Sequence, residues 1–467
     1  MRKLILLLMA LLPGLVAFAQ TDDDAVFKYE KLEKRYRFRV SLIDKQNNSY
    51  SLKKPEAFLS RKALERRKRY GIKLDEYDLP VSPQYINELR SKGMSIHCVS
   101  KWNNTVVVET ADTLKARALE NLKFVYSVEL VWVGPDSTLI RHNVADRKKK
   151  VDNKTKTSEH HYGAAQKQVE MLGVQRLHAQ GFKGEGMTIA ILDGGFNNAD
   201  AIKGLSKVRI LGTRNFVNPS LDLYAEDAHG MEVLSCIAAN TPGELVGTAP
   251  EASVYLFQTE DGRSEQQVEL DNYCAALELA DSLGCDVVTA SLGYYKFDYP
   301  EMNLPYAALN GRTAVNSRSA SLAASRGMLL LNSAGNEGDD TWKKIGFPAD
   351  AVDILAVGAV KSDSINTTFS SLGFSADGRV KPDAMAMGQS CAVYDTKGRI
   401  THVNGTSFSC PILCGAVTCL WQAHREKTPL QIIDAIHTAG HYADAPNEVY
   451  GYGIPDMWKA HDILSKQ

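Results

Sequence analysis

An α/β chain, with a parallel sheet covered by helices on both sides and a small α+β module in front of it, is predicted by two features of the 467-residue sequence. From about Tyr162 onward, short Val/Ile/Leu strands alternate with Ala-rich helical stretches, the signature of strands buried on both faces. Residues 20 to about 150 have a different texture, rich in Lys, Arg and Glu and poor in glycine. With 54 Lys+Arg against 55 Asp+Glu the net charge is −1, and no strongly basic domain stands out, which argues against nucleic acid as the main partner.

The N-terminus reads as a signal peptide over residues 1–19. Arg2-Lys3 precede an apolar run from Leu4 to Leu12, then Pro13-Gly14 and the small-x-small signal Ala17-Phe18-Ala19. The run is shorter than the roughly 20 apolar residues a membrane span needs. No later stretch is long enough to span either, so export without a membrane anchor is expected, to the medium or the periplasm.

Residues 20–145 form the predicted first module. Tyr36-Arg-Phe-Arg-Val-Ser-Leu42 alternates as a half-buried strand. Residues 60–70 form a basic helix, ended by Gly71, whose charges read as a solvated face. Ser82-Pro83 opens a second helix, Met94 to Lys101 is a strand, and Thr105 to Glu109 follows after the turn Trp102-Asn103-Asn104. Asp112 caps a helix through Leu122, and Phe124 to Val133 closes the module. Strand, helix, strand, strand, helix, strand is the ferredoxin-like split βαβ arrangement. Residues 146–161, which include Arg147-Lys-Lys-Lys150, are a charged linker open to proteolytic nicking.

In the 162–467 domain the predicted strands are 187–192, 208–211, 253–257, 286–290, 328–331 and 354–357, with helices over 265–283 and 318–326. Cys98 lies early, and seven cysteines lie between Cys236 and Cys419. Set among Ala, Leu and Val, they read as core residues. Cys410 and Cys414 share a helical face, but no His or carboxylate completes a metal set. No metal centre is predicted.

Chemistry in an open parallel sheet gathers at the carboxyl ends of strands. Asp193 stands there, followed by Gly194-Gly195, and a buried carboxylate in that place can hold a histidine in one tautomer. His229 opens a small-residue helical run. Ser407 lies in Gly405-Thr-Ser-Phe-Ser-Cys-Pro411, at a predicted helix start with Pro411 in the first turn, where free N–H groups favour developing negative charge. Asn336, in Ser333-Ala334-Gly335-Asn336-Glu337-Gly338, can donate to an oxyanion alongside the Ser407 N–H.

These motifs resemble the catalytic domain of the subtilisin-like serine proteases: ILDGGF around Asp193, HGMEV at His229, SLGY at Ser291, SAGNEG at Asn336 and GTSFSCP at Ser407. The resemblance implies a seven-stranded parallel sheet and endopeptidase activity. It implies that Asp193 orients, His229 is base and then acid, Ser407 attacks and Asn336 stabilises the oxyanion. Ser291-Leu292-Gly293 and Ser333-Ala334-Gly335 would flank an extended peptide. Phe347-Pro348 matches a segment that often holds a cis bond. More loosely, residues 36–133 resemble the family's inhibitory propeptide, which implies a zymogen with its own intramolecular inhibitor and chaperone. Gly194 departs from the usual Thr or Ser and loses a hydroxyl near the aspartate, while Phe408-Ser409-Cys410 replace Met-Ala-Thr. No cofactor is required on this reading. Calcium is common in the family, and Glu260, Asp261 and Glu265 are candidate oxygen ligands for it, with a solvated acidic loop as the favoured reading. The competing reading is a catalytically weak or inactive peptide-binding protein on the same fold.

Overall fold

Seven parallel strands of the second domain line up in a single sheet, buried and largely apolar on both faces except at the edge strand Arg209–Asn215. They are β5 (Thr188–Asp193), β6 (Arg209–Asn215), β7 (Ser253–Gln258), β8 (Val287–Ala290), β9 (Leu329–Ser333), β10 (Leu355–Val360) and β11 (Ala384–Met387), in the order β11-β10-β9-β8-β5-β7-β6. Every neighbouring pair is parallel. Strand β5 shows the logic: Ile189 and Ile191 enter one core, Ala190 and Leu192 the other. The first core holds the helices His229–Ala238 (α4) and Thr406–Ala423 (α7). The second holds Val268–Leu283 (α5) and Val315–Leu322 (α6).

This computed structural model describes residues 26–31, 33–135, 137–142 and 159–467. The signal peptide and the run Arg147–Lys150 lie outside the described residues. No helix among the described residues is long and apolar enough to cross a membrane. All eight cysteines are free, and seven are buried. Phe347–Pro348 is cis.

The first module has strands β1 (Tyr36–Leu42), β2 (Ser95–Ser100), β3 (Thr105–Thr110) and β4 (Val125–Val133), antiparallel in the order β2-β3-β1-β4. Its helices are α1 (Arg61–Arg69), α2 (Pro83–Ser91) and α3 (Thr113–Arg117). Side chains at Ser60 and Asp112 cap α1 and α3. Residues Lys34–Gly134 make one unit with the chain from residue 159 onward. A separate unit contains an antiparallel pair, Val26–Lys31 with Ser137–His142.

Two expectations are corrected here. The basic helix α1 is not a solvated face: Arg66 and Arg67 are both 2% exposed. Asp281 on α5 accepts Arg66 at 2.5 Å, Arg67 at 2.9 Å and Lys101 at 3.1 Å. Two other α5 carboxylates are matched in the same way. Asp271 takes both arms of Arg39 (2.8 and 2.7 Å), and Glu278 accepts Ser100 Oγ and the N–H groups of Lys101 and Trp102. Trp102 is buried among Tyr273, Ala276 and Leu277 of α5 and Ala320 of α6. Arg67 also meets the nearby Asp78 at 2.5 Å, but Asp281, which both buried arginines share, lies more than 200 positions away in sequence, out of reach of local periodicity.

The second correction concerns Pro411. Helix α7 begins at Thr406, so the proline is its sixth residue, beyond the first turn. The missing N–H is therefore one that a regular helix would have used.

Candidate active site

Asp193 ends β5 fully buried, and His229 is the first residue of α4. Their close approach depends on Gly230. A Cβ there would stand 2.4 Å from the Gly195 carbonyl oxygen and 2.8 Å from Asp193 Cβ, so any larger residue would force the helix off the strand end. With glycine in place, His229 Nδ1 lies 2.8 Å from Asp193 Oδ1. That oxygen also accepts the Gly194 N–H at 2.8 Å. Asp193 Oδ2 has no hydrogen-bond partner among the described residues.

About a third of the His229 side chain is open to solvent (32%). Burial opposes its charged form. The Asp193 carboxylate outweighs that and, with Glu232 and Asp227, lifts the imidazole to a pKa of about 9, against about 6.5 for a free imidazole. Phe408, from the first turn of α7, packs its ring 5.6 Å from the His229 ring.

Helix α7 carries Ser407 as its second residue. Gly405 precedes it at φ +149°, a conformation that glycine alone adopts easily. Ser407 is 9% exposed. Its Oγ rests 3.5 Å from the Ser291 carbonyl oxygen, at the long limit of a hydrogen bond and too weak to hold it against an imidazole acceptor.

Asn336 is exposed. Its Oδ1 accepts the Thr406 N–H at 2.8 Å and Thr406 Oγ1 at 3.0 Å. With the oxygen so engaged, the amide nitrogen is the end left to donate. Thr406 lies inside the serine motif, but its role there is legible only once Asn336 is beside it. Replacing Asn336 with alanine is expected to lower kcat by about 10²–10³-fold with KM little changed, the cost of one oxyanion donor. Steady-state kinetics on a peptide substrate would check this.

The six residues expected to flank a substrate differ among themselves. Gly293 is exposed, and its peptide groups make no hydrogen bond among the described residues. Ser291 and Leu292 are buried, with the Leu292 carbonyl held by Asn332 Nδ2. Ser333 ends β9, Ala334 N–H donates to Val357, and Gly335 N–H to Thr406 Oγ1. Gly293 is the member whose backbone is free to pair.

The acidic loop does not fit a shared calcium ion. Asp261 pairs with Arg263 at 2.5 Å, and Glu260 accepts Tyr294 Oη. No metal-holding cluster occurs among the described residues. Nor is the loop simply solvated. Burial, reinforced by Glu265, pushes Glu260 up to about 8, and burial with Asp298 pushes Glu265 up to about 7.

Residues 184–453 match the Subtilase family (Peptidase S8). Residues 37–150 match the Peptidase S8 propeptide domain of Bacteroidota. Subtilisin E of Bacillus subtilis (strain 168) is 28% identical over 295 residues, 62% of this chain and 70% of that protein. Subtilisin DY of Bacillus licheniformis is 27% identical over 292 residues, 61% of this chain and 94% of the relative. Among solved structures, the crystal structure of MycP1 with the N-terminal propeptide removed superposes with a TM-score of 0.50 at 21% identity. That match covers 63% of this chain and 97% of the other, and shows a shared fold.

Proposed function

The chain belongs to the subtilase family of serine endopeptidases, and from that premise we propose that it is an exported zymogen that hydrolyses peptide bonds through Ser407, His229 and Asp193. The observation that carries the reading is the 2.8 Å pairing of His229 with a buried strand-end carboxylate. An extended substrate pairs with the Gly293 backbone and presents its carbonyl to Ser407. Ser407 Oγ attacks as His229 Nε2 takes its proton, and Asp193 stabilises the imidazolium. The Ser407 N–H and Asn336 Nδ2 hold the oxyanion. His229 then protonates the leaving amine, and water repeats the sequence on the acyl-enzyme.

The base must be neutral to act. With His229 held near 9, kcat/KM should rise with pH through an apparent pKa close to that value, since below it the imidazolium carries the proton it needs to accept. A pH profile of kcat/KM with its acid limb at 6 to 7 would contradict this.

The 20–161 segment acts as intramolecular inhibitor and chaperone and is cut off by the enzyme itself between Pro135 and His161. The propeptide match and the buried contacts on α5 support the inhibitor and chaperone role. Wild-type protein should be labelled by a fluorophosphonate, and Ser407→Ala should neither label nor release the segment, as read by mass spectrometry. Release at the same position in Ser407→Ala would assign the cut to another protease. Processed wild type that binds peptides but never labels would favour the non-catalytic reading.

A further inference from the structure

Ser407 is the second residue of α7, so a regular helix would supply its carbonyl with the N–H of residue 411. Residue 411 is proline. It has no N–H, and its ring crowds the carbonyl four residues back. The Ser407 carbonyl is thus deprived of its helical donor and pressed off the helix axis, at the residue whose placement matters most.

Another element supplies a replacement. Ser291 follows β8 directly, and its Oγ donates to the Ser407 carbonyl oxygen at 2.8 Å. Both residues are buried, at 6% and 9% exposure, so the bond is little contested by water. The two serines face each other, since Ser407 Oγ in turn lies 3.5 Å from the Ser291 carbonyl. One turn along α7 the polar contact to β8 comes from a thiol: Cys410 Sγ lies 3.4 Å from Thr289 Oγ1 and 3.9 Å from the Ala290 carbonyl. A thiol is a weak hydrogen-bonding group. The Ser291 hydroxyl is the short, well-formed tie between the strand end and the first turn of the helix.

Building on the reading of Ser407 as nucleophile, we propose that Ser291 is a positioning residue: its hydroxyl stands in for the amide that Pro411 lacks and fixes the orientation of the Ser407 peptide. Holding that carbonyl fixes the 407–408 peptide plane at the helix start, which restrains the backbone rotation at Ser407 Cα that would swing the Cα–Cβ bond away from its working direction. Ser291 then acts through Ser407, which is a different task from touching substrate.

The test is a double-mutant cycle on the processed protein, matured by added wild-type enzyme where self-release slows. Ser291→Ala should lower kcat and the fluorophosphonate labelling rate by about tenfold or more, with KM within about twofold. Ser291→Thr keeps the hydroxyl and should stay within about threefold of wild type, which separates the bond from general packing. Pro411→Ala restores the helical N–H, and in that background Ser291→Ala should cost less than about threefold. Equal losses in the two backgrounds would overturn the proposal, as would a raised KM at unchanged kcat. Wild type that never labels would instead sink the nucleophile reading, whereas labelled wild type with Ser291→Ala labelling at the same rate would sink only the positioning role.

Discussion

Exchanging Asp193 for asparagine is expected to lower kcat by about 10⁴-fold while leaving the fold intact. The side chain is buried at the end of β5, and asparagine has the same shape. The loss would come from His229. Its Nδ1 now donates to Asp193 Oδ1 at 2.8 Å, which leaves Nε2 as the acceptor. The amide oxygen would take the Oδ1 place, since that atom also accepts the Gly194 N–H at 2.8 Å, so the ring keeps its tautomer beside a neutral partner in place of a carboxylate. The imidazolium of the transition state then loses its counter-charge. The acid limb of the pH profile should fall as well, because the carboxylate is what holds His229 above its usual range. Single-turnover kinetics with circular dichroism would check both parts. A decrease of tenfold or less would mean that Asp193 does not stabilise the imidazolium.

The second large effect concerns the prodomain. Asp281→Ala would leave Arg66, Arg67 and Lys101 converging on an empty place. Breaking a buried ion pair by removing one partner typically costs about 3–5 kcal/mol. Here that loss falls on the contact between α1 and α5. The uncleaved Ser407→Ala precursor carrying Asp281→Ala should therefore unfold at a clearly lower temperature, and an isolated prodomain should bind the mature enzyme about 10²–10⁴-fold more weakly. Burial disfavours the Asp281 charge, but Lys101, Arg67 and Arg66 overcome it and hold the carboxyl well below the usual range. A depressed carboxylate contributes its stability above its unfolded pKa, about 3.9, and loses it as pH falls through the lower folded value. This contribution should thus be flat across neutral pH and fade only in strong acid. An unchanged melting temperature for Asp281→Ala would refute it.

The sequence made the sheet legible where strands are apolar on both faces, as at Thr188–Asp193, and it located the chemistry through short motifs whose contexts are local. It did not reveal β11, Ala384–Met387, because an Ala-Met alternation has no strand preference and becomes one only by pairing with β10. It misread α1, since a run of Arg and Lys looks the same in water or against an acidic helix until the partner is known. It also placed Pro411 one turn too early, because nothing in the sequence marks Thr406 as the first helical residue. The carboxylates of α5 were silent for a related reason. Asp271, Glu278 and Asp281 look like an ordinary polar face, and only the fold shows that their partners come from the prodomain.

Helix α5 has a consequence for the lifetime of the enzyme. Three of its carboxylates, Asp271, Glu278 and Asp281, are matched by Arg39, Arg66, Arg67, Lys101 and the β2–β3 turn, all of which would leave with the prodomain on the cleavage proposed above. In the precursor these groups fasten α5 in its place on the sheet. If cleavage removes them, the helix would keep its seat with its charges hydrated, while a chain that then unfolded would lack the template that seated it. Maturation would then work as a ratchet: the protease endures for as long as it takes to unfold once, and its longevity is set by the height of that barrier rather than by the depth of a reversible equilibrium.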